Sequence, residues 1–260
     1  MRTLGLSTAC YYPLTTELAL EKTIQTGVKC CEVFFNSTTE LERPFLTVLK
    51  DQTSRSGITI RSIHPFSSFA ESFFLFSAYE RRFRDTLDAY DRFFEAARYL
   101  GASIVVIHGI KKPGEINDEE YFERFAKLSE RGAMSGLRVC QENVVNHRSE
   151  DPFFLARMAR AIGGDFGVVL DIKQAKRAGQ DPFLFVKLLG DRIAHVHLSD
   201  SDGEADCLPP GEGCFDFKGL FSSLNNAGYT GDYMVELYRS SYTKYVQIDN
   251  SLIYLKKCLI

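Results

Sequence analysis

The segment IAHVHLSDSDGEADCLPPGEG, residues 193–213, joins an alternating apolar run to an abrupt stop made of acids, glycines and the turn Pro209-Pro210-Gly211. A strand that ends this way delivers its last side chains to the rim of a sheet. One of them is His197, and a neutral imidazole suits a metal ion at physiological pH. If other strands end in the same manner, their rims converge on one site.

The pattern repeats in both directions. Strand-like runs at 3–7, 28–35, 58–63, 103–107, 137–141, 166–170 and 233–237 join the one at 193–198. Amphipathic helical segments are read at 17–26, 40–56, 79–100, 118–135, 152–162, 181–189, 217–227 and 242–259. Thr15, Thr16 and Asp151 read as N-caps, and glycines such as Gly57 and Gly101 close helices where a left-handed residue is needed. The runs SIVVI and FGVVL are continuously apolar, as strands covered on both faces must be. Strands and helices alternating in this way predict an α/β protein, a single (β/α)8 or TIM barrel over residues 1–260; a doubly wound open sheet is the alternative.

Composition narrows the class further. With 45% hydrophobic and 25% charged residues, the chain is able to bury a sizeable core. The net charge of −3 argues against a dedicated nucleic-acid binder, which needs a strongly basic face. Seven cysteines without a CxxC pair give no structural zinc motif. With neither a signal-peptide pattern nor an apolar run long enough to span a bilayer, a cytoplasmic location and no membrane partner are expected.

Six strands, the third to the eighth, place a metal-competent residue at or beside their C-terminal end: His64, His108, Glu142, Asp171, His197 and Glu236. In a barrel that rim carries the active site. Unpaired carboxylates gathered there repel one another unless protons or a cation compensate. The mixed nitrogen and oxygen donors suit one divalent ion, Zn²⁺, Mn²⁺ or Mg²⁺.

The motifs IHPF (63–66), VIHG (106–109), QEN (141–143), LDI (170–172), HVHLSDSDG (195–203), LPPGEGCFDF (208–217) and YMVEL (233–237), in this order and at these strand ends, resemble the xylose isomerase-like barrel superfamily. That superfamily contains sugar phosphate isomerases and epimerases and the endonuclease IV group. The resemblance covers nearly the whole chain and implies that Glu142, Asp171, His197 and Glu236 form a central metal site. His64 and His108 match positions that hold a second metal, together with Glu142, in endonuclease IV-like members, and are also candidates for substrate contact. The chain departs from that group at Gln174, where a histidine is frequent, and at Ala205-Asp206-Cys207, where Asp-x-His is frequent. A trinuclear site is thereby put in doubt.

The chemistry implied is metal-dependent isomerisation or epimerisation of a sugar or sugar phosphate, with proton transfer beside a chelated carbonyl and an enediolate intermediate. Glu142 and Glu236 are then the acid/base pair, Asp171 and His197 are ligands only, and His195 supports His197 or points elsewhere. Gln174 and Arg239 are read as substrate-binding, the latter because barrels often hold a phosphate near the loops after strands seven and eight. An abasic-site phosphodiesterase and a polyol dehydratase are the alternatives. Five phenylalanines among residues 66–76 are expected to form a lid or the interface of a homo-oligomer.

Overall fold

Eight strands pair in parallel and in sequence order: β1 (Leu4–Ser7), β2 (Cys30–Phe34), β3 (Thr59–His64), β4 (Ile104–Ile107), β5 (Arg138–Glu142), β6 (Gly167–Asp171), β7 (Ile193–Leu198) and β8 (Tyr233–Val235). β8 pairs back onto β1, which closes the sheet into the expected barrel. This computed structural model describes residues 3–259. The helices around the barrel are α1 (Thr16–Gln25), α2 (Arg43–Ser56), α3 (Glu80–Leu100), α4 (Asp118–Met134), α5 (Pro152–Ile162), α6 (Ile172–Arg177), α7 (Pro182–Leu189), α8 (Phe217–Asn226) and α9 (Val246–Cys258).

Local chemistry sets most of these boundaries. Gly57 and Gly101, at φ +66° and +82°, end α2 and α3 in the left-handed conformation that a side chain disfavours. Asp151 caps α5 by accepting from the Phe153 N–H. Thr15 makes no cap bond, contrary to expectation, and the neighbouring Thr16 hydroxyl donates to Glu40 Oε2 at 3.0 Å. α9 begins four residues later than the hydrophobic pattern suggests, since Arg239–Ser241 forms a separate 3-10 turn and Tyr242 is extended. α6 is absent from the sequence expectation. It follows directly on Asp171, whose carboxylate accepts from the Gln174 N–H and starts the helix.

Two register shifts prepare the site. One lies between Cys31 and Glu32 where β2 meets β3, the other between Val168 and Val169 where β6 meets β7. Bulges of this kind re-aim the side chains that follow them. Glu32 on β2 touches His195 and His197 on β7, strands that are not neighbours, so these side chains meet across the barrel interior.

The barrel wall is tight on β1, the strand paired with β2. A Cβ on Gly5 of β1 would stand 2.7 Å from the Cys30 carbonyl oxygen and 2.8 Å from Cys30 Sγ. Gly5→Val is therefore expected to cost about 1–3 kcal/mol through overpacking. Urea unfolding checks this: the midpoint falls at unchanged slope, whereas an unmoved midpoint means the wall has room to give.

Candidate metal centre and active site

β5 shows how the sequence aims its functional side chain. Gln141 and Asn143 flank Glu142 and bind neighbouring backbone. Gln141 Nε2 donates to the carbonyls of Ile107 and His108, and its Oε1 accepts from Tyr121 Oη. Asn143 pairs reciprocally with the Asp171 backbone, donating to its carbonyl at 3.0 Å and accepting from its N–H at 2.7 Å. The two amides lock β5 to its neighbours and leave the Glu142 carboxylate for the barrel rim.

Three further side chains meet it there. His197 Nδ1 stands 3.7 Å from Glu142 Oε1, 3.8 Å from Asp171 Oδ2 and 3.5 Å from Glu236 Oε2. The four groups offer ligand atoms that all lie within 4.8 Å of one another. Two donors each about 2.1 Å from one ion at a tetrahedral angle are roughly 3.4 Å apart. Moreover, Glu142 Oε2, Asp171 Oδ2 and His197 Nδ1 are buried without an aligned hydrogen bond. Donor chemistry, spacing and these buried atoms without an aligned hydrogen bond fit a divalent cation.

His64 and His108 form an adjoining triangle on the same glutamate. Their Nε2 atoms are 3.0 Å apart, and His108 Nε2 is 3.0 Å and His64 Nε2 3.7 Å from Glu142 Oε2. Glu142 thus belongs to both donor groups.

Electrostatics follow from this crowding. Burial opposes ionisation of Glu142, yet His108, His197 and His64 around it hold its carboxyl well below the usual range. Burial also opposes the charge on His197, but Glu32 and Glu236 raise its pKa well above that of a free imidazole. For Asp171, burial prevails and the pKa rises despite Lys173 and His197.

Three contributors escaped the sequence reading. Glu32 sits at the barrel interior, where it receives Ser7 Oγ at 3.1 Å and Ser62 Oγ at 2.7 Å and faces His195 Nε2 at 3.3 Å and His197 Nε2 at 3.2 Å. It engages the His197 nitrogen remote from the cluster and so leaves Nδ1 for the metal side. His195 points the same way as His197, one layer deeper, where it also meets Ser62 Oγ at 3.1 Å. The signal in the sequence was a lone carboxylate within the apolar run VKCCEVFF. The second is Lys173, buried beside Asp171 and Glu236. The third is Glu71, whose carboxylate anchors the phenylalanine-rich loop by accepting from the Gly109 N–H at 2.5 Å and Tyr90 Oη at 2.9 Å.

Above the donors opens a cavity of about 530 Å³, a size suited to a small metabolite. Its polar lining is His64, His108, Glu142, Lys173, Gln174 and Glu236, and its apolar lining chiefly Phe34, Phe66, Leu237 and Tyr238. The loop at 66–76 divides its aromatics: Phe66 lines the cavity, Phe76 is buried, and Phe69 and Phe73 are 84% and 67% exposed. Gln174 reaches the cavity while its Oε1 accepts from the Val145 N–H. Arg239 turns elsewhere, donating to the Tyr242 carbonyl at 2.8 Å and stacking on Tyr242 and Tyr245. The rim beyond β7 is fixed by Asp200, whose carboxylate collects the N–H groups of Ser201, Gly211, Gly213 and Phe215. Asp206, in the same loop, holds Arg177 with both oxygens, at 2.6 and 2.8 Å.

The family model described as xylose isomerase-like TIM barrel matches residues 20–258. The chain belongs to this family. Among its relatives is a putative L-ribulose-5-phosphate 3-epimerase, SgbU, of Escherichia coli strain K12, 29% identical over 55% of this chain and 54% of that protein. Among solved structures, a D-tagatose 3-epimerase-like protein superposes with a TM-score of 0.81 at 24% identity, over 99% of this chain and 97% of the other. The IOLI protein, solved with a binding zinc atom, superposes with a TM-score of 0.77 at 18% identity, over 98% and 96%. Among the described residues of this family member, no helix is long and apolar enough to cross a membrane.

Two outcomes are expected from the supporting carboxylates. Glu32→Gln leaves His197 without its charged partner, and loss of such a partner typically lowers metal affinity 10–100-fold. Mn²⁺ titration of the purified variant measures it, and wild-type affinity would remove Glu32 from this role. Burial, opposed by His108 and the Gly109 N–H, raises the Glu71 pKa from 4.5 to about 7. The folded state then holds a proton that the unfolded chain has released, so this group's contribution falls as pH rises from 4.5 to 7. Glu71→Gln should gain on the wild type by about 3 kcal/mol between pH 4 and pH 8. Parallel urea-unfolding curves across that range would contradict it.

Proposed function

We propose that this chain is a metal-dependent epimerase or isomerase of a sugar or sugar phosphate, with Glu142, Asp171, His197 and Glu236 holding the ion. The observation that carries the reading is an asymmetry among the four donors: Glu142 and Glu236 line the cavity, whereas Asp171 and His197 do not. Two carboxylates open to a bound molecule are placed to exchange protons with it, and two withdrawn donors serve as ligands alone.

A divalent ion bound there, Mn²⁺, Zn²⁺ or Mg²⁺, polarises the carbonyl and adjacent hydroxyl oxygens of a sugar and offsets the negative charge that grows when a neighbouring carbon loses its proton. Glu142 and Glu236, which come from different strands, take that proton and return one. Phe34, Phe66 and Tyr238 cover the C–H face of the sugar and exclude water. Asn36, Gln174 and His108 meet its hydroxyls. His64 and His108 orient Glu142 in this scheme, and a second ion between them and Glu142 is its variant form.

The nearby guanidinium groups support an unphosphorylated substrate, since Arg177 is engaged by Asp206 and Arg239 by the Tyr242 carbonyl. Ala205 and Cys207 where Asp-x-His is frequent, with Gln174 in place of a histidine, leave the phosphodiesterase reading without its further ligands.

The test is exchange of a sugar carbon-bound proton in deuterated water, followed by NMR for a panel of free and phosphorylated ketoses. We expect exchange and epimerisation with a free ketose, loss on chelation with recovery on Mn²⁺ addition, and a 10²–10⁴-fold drop in Glu142→Gln and Glu236→Gln. Full activity in either variant would overturn the assigned pair. No exchange with any ketose, at any metal loading, would overturn the reaction class.

A further inference from the structure

Lys173 is placed against two electrostatic preferences at once. It is the second residue of α6, at the end of a helix dipole that disfavours cations, and it is almost fully buried. What compensates is a pair of carboxylates. Its Nζ stands 2.8 Å from Glu236 Oε2 and 3.1 Å from Asp171 Oδ2. These are the same two oxygens that His197 Nδ1 faces across the four-donor cluster. The ammonium group and a divalent ion therefore address the same lone pairs.

Beside it lies a second resting place. Lys173 Nζ is 4.6 Å from the centre of the Tyr238 ring, which lines the cavity. That ring is held by Arg177, which donates Nη1 to Tyr238 Oη at 2.8 Å, lies 4.8 Å from the ring centre and is itself fixed by Asp206. An aromatic face within this reach accepts an ammonium ion that leaves its carboxylates.

We propose that Lys173 is a resident counter-cation of the metal centre: it neutralises Asp171 and Glu236 in the metal-free protein and is displaced onto Tyr238 when a divalent ion binds. The inference rests on the metal-site reading above. It makes metal affinity the balance of an exchange between two cations, since ions this close in a buried site repel. It also turns the displaced ammonium toward whatever occupies the cavity.

The experiment is Mn²⁺ titration of the metal-stripped full chain, with free Mn²⁺ read by electron paramagnetic resonance, on wild type, Lys173→Met, Tyr238→Leu and the double variant. We expect Lys173→Met to bind at least tenfold more tightly, and Tyr238→Leu to weaken binding only where Lys173 is present. A wild-type readout needs no variant to fold: amine acylation followed by mass spectrometry should show Lys173 protected without metal and more reactive with Mn²⁺. Equal or weaker binding by Lys173→Met, or labelling unchanged by Mn²⁺, overturns the exchange while leaving the metal site standing. Absence of Mn²⁺ binding in wild type and Lys173→Met alike overturns both.

Discussion

Three carboxylates crowd one imidazole nitrogen at the mouth of this barrel, and much of the surrounding structure answers that repulsion. Glu142, Asp171 and Glu236 each approach His197 Nδ1 within 3.8 Å in a site closed to water on all sides but one. Basic side chains stand against it on several sides. Lys173 covers two of the acids, His64 and His108 the third, and Glu32 sustains charge on His197 from below. Removing water strengthens each of these attractions and raises the cost of leaving any acid uncompensated. The four donors form a candidate cation site, and these groups surround it.

The barrel makes this possible because its strands point one way. Donors at the ends of β5, β6, β7 and β8 arrive from separate segments, yet the backbone ladder fixes their spacing. Gln141 and Asn143 spend their amides on adjacent strands, so Glu142 is set by the wall and not by its own flexibility. Aromatic groups at 34, 66 and 238 add apolar surface to the opening, Phe34 against His64 and Tyr238 beneath Lys173.

The barrel and the rim residues were legible in the sequence for one reason: an apolar run that stops at a His, Asp or Glu marks a strand end, and parallel strands end at one rim. His64, His108, Glu142, Asp171, His197 and Glu236 are all brought together on that basis. Glu32 was hidden because it lies within its strand, and its partners come from a strand far along the chain. Lys173 was hidden because α6 is only six residues long and its periodicity is unreadable. The two bulges leave no trace in residue type, yet they aim Glu32 and the end of β6. The direction of Arg239 depends on Tyr242 and Tyr245 stacking beneath it, a packing fact that adjacency to a strand end does not reveal.

The loop gathered by Asp200 has a consequence for how such a barrel diversifies. Its backbone closes on its own carboxylate, with a two-way bridge between Asp200 and Leu208 and a contact at Gly213 too close for any side chain. The loop therefore folds largely on internal bonds and meets the barrel through Asp206, on Arg177, and the buried Cys207. Within it, residues 203–205 are a cassette: their identity can change while Asp206 keeps its hold on Arg177 and the buried Cys207 its place in the core. Evolution or a designer can remodel the approach to the cavity there without disturbing the charge balance at its floor.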